Sequence, residues 1–489
     1  MFKITRKNIL LFHYIISAMI FTSCSLNIPP MDMFSDPDAI TNVQNARSLL
    51  TSAYRAYPHY ELEFSILGND FCPTSLSHSN VELTNLYAWR PKEITQLSTN
   101  LWLGYYNVIA ICDALDERLP QVQIEKEGDK QEIINISSES KLLKAWCYLQ
   151  LLKIYAPAYD RNPDDMGIIL KSTLGIENKR RSSIKDCTSY IENLLLQTAQ
   201  HPFNNKNQMW MSNDAAHYLL ADLYLYMGQW DKVLEYAVPQ LSTMPKAGSD
   251  SYEKEYHSLW TDKNSAERIF AFYMDSPVFT NLEYDRNKGD LFAINPNFAI
   301  DKSDKRYDMA IIPKKMYNKQ VMLLGKYNKL QKENMVVSYL NKMRRAGLIF
   351  MVAEAYAQIG NNHKAIATIN SYRKLTGKNM LTENLNGKDL VDSILHDKYE
   401  EFAGEGTNYF DLKRTHNKPL ARFTLWGEGH SAYISEDDYR WTFPIPKAEY
   451  RFNLAEINQN KGWYYTNDKS KKYTLVTTSS KLTTQEQEP

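Results

Sequence analysis

Apolar residues recur at helical spacing along much of the chain. Val43, Ala46, Leu49, Leu50 and Ala53 form one stripe, and Asp36-Pro37-Asp38 stands ahead of it, which predicts a helix from Asn42 to Tyr57. The same rhythm predicts helices over about 101–119, 138–155 and 183–199. Pro157 ends the third of these four, and Asn162-Pro163-Asp164-Asp165 marks a loop behind it. Residues 64–98 lack the rhythm and are rich in Ser, Asn, Thr and Pro, so they read as irregular. Residues 250–335 break it again, with Arg268-Ile-Phe-Ala-Phe-Tyr273 as a strand. From about 423 to 465 the chain is loop-like and aromatic, and from Lys469 it is a polar tail expected to stay disordered.

Two stretches repeat each other without a gap. Residues 221–237 read ADLYLYMGQWDKVLEYA, and residues 353–369 read AEAYAQIGNNHKAIATI. Ala221 aligns with Ala353, Tyr224 with Tyr356, Gly228 with Gly360 and Lys232 with Lys364. A helix hairpin explains the pattern: alanine lets two helices approach, tyrosine fills the groove, and glycine makes the turn. The units resemble tetratricopeptide repeats, far apart in sequence and therefore interrupted.

The N-terminus carries a different signal. Lys3, Arg6 and Lys7 precede an apolar run from Ile9 to Phe21, too short to span a bilayer and suited to a signal peptide. It ends in Phe21-Thr22-Ser23-Cys24, which resembles a bacterial lipobox. Residues 1–23 are then the leader, Cys24 the acylated first residue, and 24–37, with Pro29, Pro30 and Pro37, a tether. The expected body divides into helical residues 38–245, a loop-rich variable region 246–335, a second helical region 336–420, a loop-rich closure 421–468 and the tail 469–489. At this length the body is one large lobed unit or two closely packed domains. Of the remaining cysteines, Cys112 and Cys147 lie in apolar helical patterns and read as buried thiols. With Cys72 and Cys187 they make an even count that permits disulfides in an exported protein, although no close pair such as C-x-x-C occurs and no His–Cys spacing supports zinc.

Composition removes several function classes. Lysine plus arginine number 57, matched by 57 aspartate plus glutamate. Loss of the three leader cations leaves 54 against 57, so no nucleic-acid footprint exists. No HExxH, GxSxG or P-loop pattern occurs, so the chain is read as a non-enzyme without a cofactor. His430 beside Ser431 is adjacency rather than a triad. Tyrosine is abundant, with 33 residues beside 9 tryptophans, which suits both cores and binding surfaces.

Residues 390–414, LVDSILHDKYEEFAGEGTNYFDLKR, resemble the signature helix and turn of the SusD/RagB family of outer-membrane nutrient-binding lipoproteins. WLGYYNVIAICDAL (102–115), SKLLKAWCYLQLLKIY (140–155), residues 344–360, WTFPIP (441–446) and NQNKGW (458–463) resemble further family segments in the family's order. Asn408 departs from a usual arginine, Asp397-Lys398 from Glu-Arg, Gly347 from a frequent acid and Lys461 from proline, so weaker charge pairing is expected at that corner. The resemblance implies a mainly α SusD-like fold, with interrupted tetratricopeptide-like pairs and a loop-rich region of short strands. It also implies an outer-membrane, cell-surface protein that captures a nutrient oligomer and delivers it to a SusC-like TonB-dependent transporter.

Glycan capture needs exposed rings for sugar faces and polar groups for hydroxyls. The first candidate cluster is Asn85, Tyr87, Trp89 and Arg90, with Trp89 as platform and Arg90 as donor, or with Trp89 packing the loop onto the body. The second is Trp426 and Tyr433, with Glu428 and His430. Trp210 has no assignment. An oligosaccharide ligand, a peptide ligand and a protein–protein scaffold all remain open, the far-spaced repeats weighing against the last.

Overall fold

The computed structural model describes residues 40–464 and 476–477, apart from 201–202, 204–206, 245–247, 249–250, 262–263, 274–290, 317, 328–338, 417–419 and 424–429. The expected leader, Cys24, tether and tail lie outside these residues. Among the described residues, no helix is long and apolar enough to cross a membrane.

The N-terminal half is a run of helices. These are α1 (Val43–Ala56), α2 (Glu61–Leu67), α3 (Val81–Tyr87), α4 (Pro91–Arg118), α5 (Asp129–Tyr155), α6 (Ile184–Ala199), α7 (Asn213–Met227) and α8 (Trp230–Thr243). Short β1 (Phe71–Pro73) lies between α2 and α3. Asn42 and Ser183 cap α1 and α6, each side-chain oxygen accepting an amide three residues on. Residues 64–98 are more ordered than their composition implied. Arg90 is the N-cap of α4 and Pro91 its first residue, so α4 begins about ten residues before the start expected at 101, with Ile94 and Leu97 already on its buried face. All four cysteines from Cys72 onward are buried and free.

The repeat is a pair of hairpins. In the first, α7 turns into α8 at Gly228 (φ +66). In the second, α10 (Arg345–Gln358) turns into α11 (Asn362–Thr376) at Gly360 (φ +77). Ala221 and Ala353 are fully buried. The Lys232 ammonium lies 4.7 Å from the Tyr224 ring centroid and Lys364 lies 5.3 Å from that of Tyr356. Each of the four matched positions therefore has a physical reason, the last a cation held over a ring.

Although distant in sequence, the two hairpins adjoin, because α8 packs on α10. The residues between them leave and return at one place. Here lie α9 (Tyr252–Thr261), β2 (Arg268–Tyr273), β3 (Phe292–Ile294), β4 (Ile311–Met316), β5 (Lys319–Leu324) and β6 (Tyr339–Arg344). Antiparallel pairing of β2 with β6, from Arg268↔Arg344 to Tyr273↔Tyr339, zips the base of the insertion and feeds β6 straight into α10. The helix stack thus runs α4, α5, α6, α7, α8, α10, α11 without a spatial gap.

The 390–414 stretch forms α12 (Gly387–Phe402) and α13 (Asn408–Thr415) around a buried charge hub. Glu401 accepts from Arg306 Nη1 and Arg344 Nη1, both at 2.6 Å, and from the Tyr372 hydroxyl. Burial alone would raise its pKa, but the guanidiniums of Arg344 and Arg306 hold it down at about 2. Glu405 takes Arg344 at 3.0 and 2.8 Å and Lys326 at 2.7 Å.

The expected weakening of charge pairing at this corner does not occur at residues 397 and 398. Asp397 holds Arg373 and Lys378, both at 2.6 Å, and Lys398 holds Asp411 at 2.7 Å. Asp411 and Glu354 in turn clamp Arg414. At Gly347 the absent side chain leaves room for the Tyr218 hydroxyl, which an added Cβ would meet at 2.3 Å.

Position 408 is different. Asn408 Nδ2 donates to Asp70 Oδ1 at 2.8 Å, supplying a hydrogen bond but no charge. Burial pushes the Asp70 carboxyl up to about 7, against the pull of the Gly404 amide and Asn408. A carboxyl raised from 3.8 to about 7 on folding stabilises the chain fully below pH 4, and that contribution fades as pH rises through 7. Asp70→Asn is therefore expected to gain stability relative to the parent between pH 5 and pH 8, by on the order of 3 kcal/mol. Urea unfolding at the two pH values checks this; a difference independent of pH would mean that Asp70 does not titrate in this range.

Candidate functional site

Two sequence-distant segments, the Asn85–Arg90 corner between α3 and α4 and a later strand hairpin, are joined through Arg422. The hairpin of β7 (Leu420–Phe423) and β8 (His430–Ile434) follows α13. Arg422 of β7 is fully buried, and its guanidinium lies 4.1 Å from the Tyr87 ring centroid. It donates to the carbonyls of Tyr87 (3.2 Å), Leu67 (3.3 Å) and Ile66, the C-terminal ends of α3 and α2. Helix C-termini are electronegative, so a buried cation is favoured there. Burial lowers the Arg422 pKa, with Tyr87, Cys72 and Asp70 opposing. This clamp seats the hairpin on the corner that holds Asn85, Tyr87, Trp89 and Arg90.

The hairpin register then decides which side chain faces out. Arg422 pairs with Ala432, and Ala421 with Tyr433. Opposed residues share a face and the next pair takes the other, so Arg422 points inward and Tyr433 outward. Tyr433 is 53% exposed. Trp426 and Glu428 lie outside the described residues; of His430 only the backbone, in β8, is described.

The expected role of Trp89 as an open platform is corrected here. Its ring is 0% exposed and stands edge-on to Trp441, 4.5 Å between centroids. Its carbonyl accepts from Arg440 Nη1 at 2.9 Å, and its backbone is left-handed at φ +54. The α3–α4 corner is so tight that the apolar ring turns into the body, where the 441–446 segment closes over it. Tyr87 is also buried, against Phe292 and Arg422. A sugar can reach neither ring in this conformation. At this corner Arg90 is exposed, and Asn85 is half-buried with its amide 3.1 Å from Glu93 Oε1.

Sequence reading left Trp210 unassigned. The structure places it on the wall of an open groove of about 830 Å³, beside Asn207, Asp214, Lys254, Glu255 and Asn264. Arg47 covers the ring at 5.0 Å and Tyr54 abuts it edge-on at 5.0 Å. The signal available beforehand was composition: a tryptophan between Asn- and Ser-bearing turns, outside any helical stripe. A second cavity, about 150 Å³, lies inside the body. Lys153 pairs with Asp222 (2.6 Å) and Lys398 with Asp411 (2.7 Å) on its walls, and Lys413 donates to the carbonyls of Lys153 (2.7 Å) and Ile154 (3.2 Å), so it reads as part of the polar core.

Comparison with known proteins agrees with this architecture. The SusD family model matches residues 186–463. A SusD superfamily protein from Bacteroides vulgatus ATCC 8482 superposes with a TM-score of 0.74 at 20% identity, over 86% of this chain and 99% of that one. A SusD-like carbohydrate binding protein from the same organism gives 0.68 at 18%, over 84% and 97%. A SusD superfamily protein from Bacteroides thetaiotaomicron VPI-5482 gives 0.72 at 17%, over 86% and 100%. No curated protein matches the sequence at a significant level.

Proposed function

This chain belongs to the SusD family, and on that premise we propose that it is an outer-membrane lipoprotein, acylated at Cys24, that captures a glycan and passes it to a SusC-like TonB-dependent transporter. Support for a sugar comes from the fold shared with a SusD-like carbohydrate binding protein over 97% of that chain. The observation that carries the site is the Arg422 clamp, which joins the Asn85–Arg90 corner to the hairpin that presents Tyr433. There Tyr433 serves as the stacking ring, and Arg90 and Asn85 as hydrogen-bonding groups. Trp426, which lies between β7 and β8 in sequence, is a second candidate ring in this proposal.

The Trp210 groove supports a second location. Its volume lies within the 300–1,000 Å³ usual for ligand clefts, and its walls carry amide and carboxylate side chains. Titration of residues 25–489 with neutral hexasaccharides (maltohexaose, cellohexaose, xylohexaose) separates the two. Tyr433→Ala is expected to weaken binding about tenfold with unchanged thermal unfolding. Loss in Asn264→Ala with none in Tyr433→Ala moves the site to the groove. Saturable binding of a peptide pool alone keeps the architecture and replaces the glycan.

A further inference from the structure

The loop after α5 turns its polar groups onto itself. Glu177 accepts from the Ser172 amide (2.8 Å), the Ser172 hydroxyl (2.6 Å) and the Thr173 amide (3.3 Å). Lys179 donates to the Ser172 hydroxyl at 2.6 Å, and Lys171 to the Gly175 carbonyl at 2.7 Å. The turn is closed at Gly175, φ +108, and its tip is Ile176, 95% exposed. A mobile tip could fold an isoleucine back onto the body; this hydrogen-bonded one holds it in water, where apolar surface is unfavourable.

A second segment is locked beside it. Helix α14 (Lys447–Phe452) ends in Phe452, and Leu454 follows, at 69% and 79% exposure. The Leu454 amide donates to Asn178 Oδ1 at 2.7 Å, and Asn453 Nδ2 to the Lys179 carbonyl at 2.9 Å. Ile176, Leu454 and Phe452 are the three most exposed large apolar side chains among the described residues, and these bonds bring their segments together.

The charges around them are sorted. The Arg451 guanidinium lies 5.2 Å from the Phe452 ring centroid, and Arg180, Lys447 and Arg451 are exposed. Of the acids, Glu177 is engaged inside its turn and Glu449 with the Trp102 indole at 2.9 Å, while Glu456 lies 3.8 Å from Arg180 and offsets that cation, so Lys447 and Arg451 carry the positive rim. Apolar tips within a rim of lysine and arginine match a lipid–water interface, where the tips enter the acyl boundary and the cations meet anionic headgroups. Glu449 ties this edge to α4 at Trp102, whereas the chain joins the body at Asn42, bridged to Gln123 beyond the far end of α4. That separation is about 24 Å along the helix. The segment from Cys24 to Ile40 spans up to about 50 Å, so an anchor at Cys24 can reach the plane the patch would touch.

We infer that Ile176, Phe452 and Leu454 insert into an anionic lipid surface and set the orientation of the tethered body. The inference rests on the membrane location proposed above and not on the ligand. The test uses residues 25–489, which contain the whole described body, sedimented with vesicles of phosphatidylcholine and phosphatidylglycerol at 7:3 and with phosphatidylcholine alone. Partition onto the anionic vesicles is expected, weaker onto phosphatidylcholine. It should fall roughly a hundredfold in Ile176→Ser/Phe452→Ser/Leu454→Ser, with thermal unfolding unchanged. No partition, or equal partition of the triple variant, overturns it. So does a dimer in sedimentation velocity that the triple variant abolishes, since the patch would then join two copies. Palmitate labelling in cells, lost in Cys24→Ser, checks the anchor separately, so the failure of each reading can be told from the other.

Discussion

Glu401→Gln is expected to lower the unfolding free energy by about 3–5 kcal/mol, since it removes one partner from a buried charge network. The loss leaves Arg306 and Arg344, each almost fully buried, facing a neutral amide. The same carboxylate joins elements otherwise far apart: Arg306 from the insertion, Arg344 from the end of β6, and Tyr372 from α11. A carboxylate held at about 2 in the folded chain contributes stability above its unfolded value of 4.5, and that contribution fades as pH falls toward 2. The gap between parent and variant should therefore be full at pH 6 and shrink below pH 4. Guanidinium unfolding across pH measures it. A loss under about 1 kcal/mol at pH 6 would mean that Asp304 on Arg306 and Glu405 on Arg344 hold the two cations without Glu401.

Trp89→Ala is expected to destabilise the fold by about 3–5 kcal/mol, the usual cost of deleting a buried tryptophan. The ring fills the space between the α3–α4 corner, Trp441 and Tyr409, at 4.5 and 6.1 Å between centroids. Trp89→Gly should lose about 1 kcal/mol less than Trp89→Ala, because glycine takes φ +54 without the strain of a Cβ. Thermal unfolding of both variants, beside hexasaccharide titration at a temperature where they stay folded, gives the comparison. A folded Trp89→Ala of parental stability that no longer binds sugar would return the residue to the site.

The helix at 183–199, the strand Arg268–Tyr273 and both hairpin turns were legible in the sequence because each rests on local rules: a cap, a run of β-branched and aromatic residues, a glycine at positive φ. The start of α4 was not, because Ile94 and Leu97 are its only apolar groups among the otherwise polar residues 92–100, too sparse a pattern to read as a helix although both are buried. The family signature was legible as a pattern but not as chemistry. Nothing in its spacing says that Glu401 meets Arg306 and Arg344, 95 and 57 residues away. The same limit explains Trp89. An aromatic in a polar stretch reads equally as platform or plug, and only the closing segment, some 350 residues on, distinguishes them.

By itself the sequence determined the helical class, the two hairpin repeats and the family, since short-range periodicity and ordered motifs carry them. Tertiary structure alone decided that the interrupted repeats stack on one another, because β2–β6 pairing closes the insertion at its base. It alone decided which rings are walls and which are surface. Burial is a property of what the rest of the chain brings to a residue, and at this corner that came from β7 and the 441–446 segment.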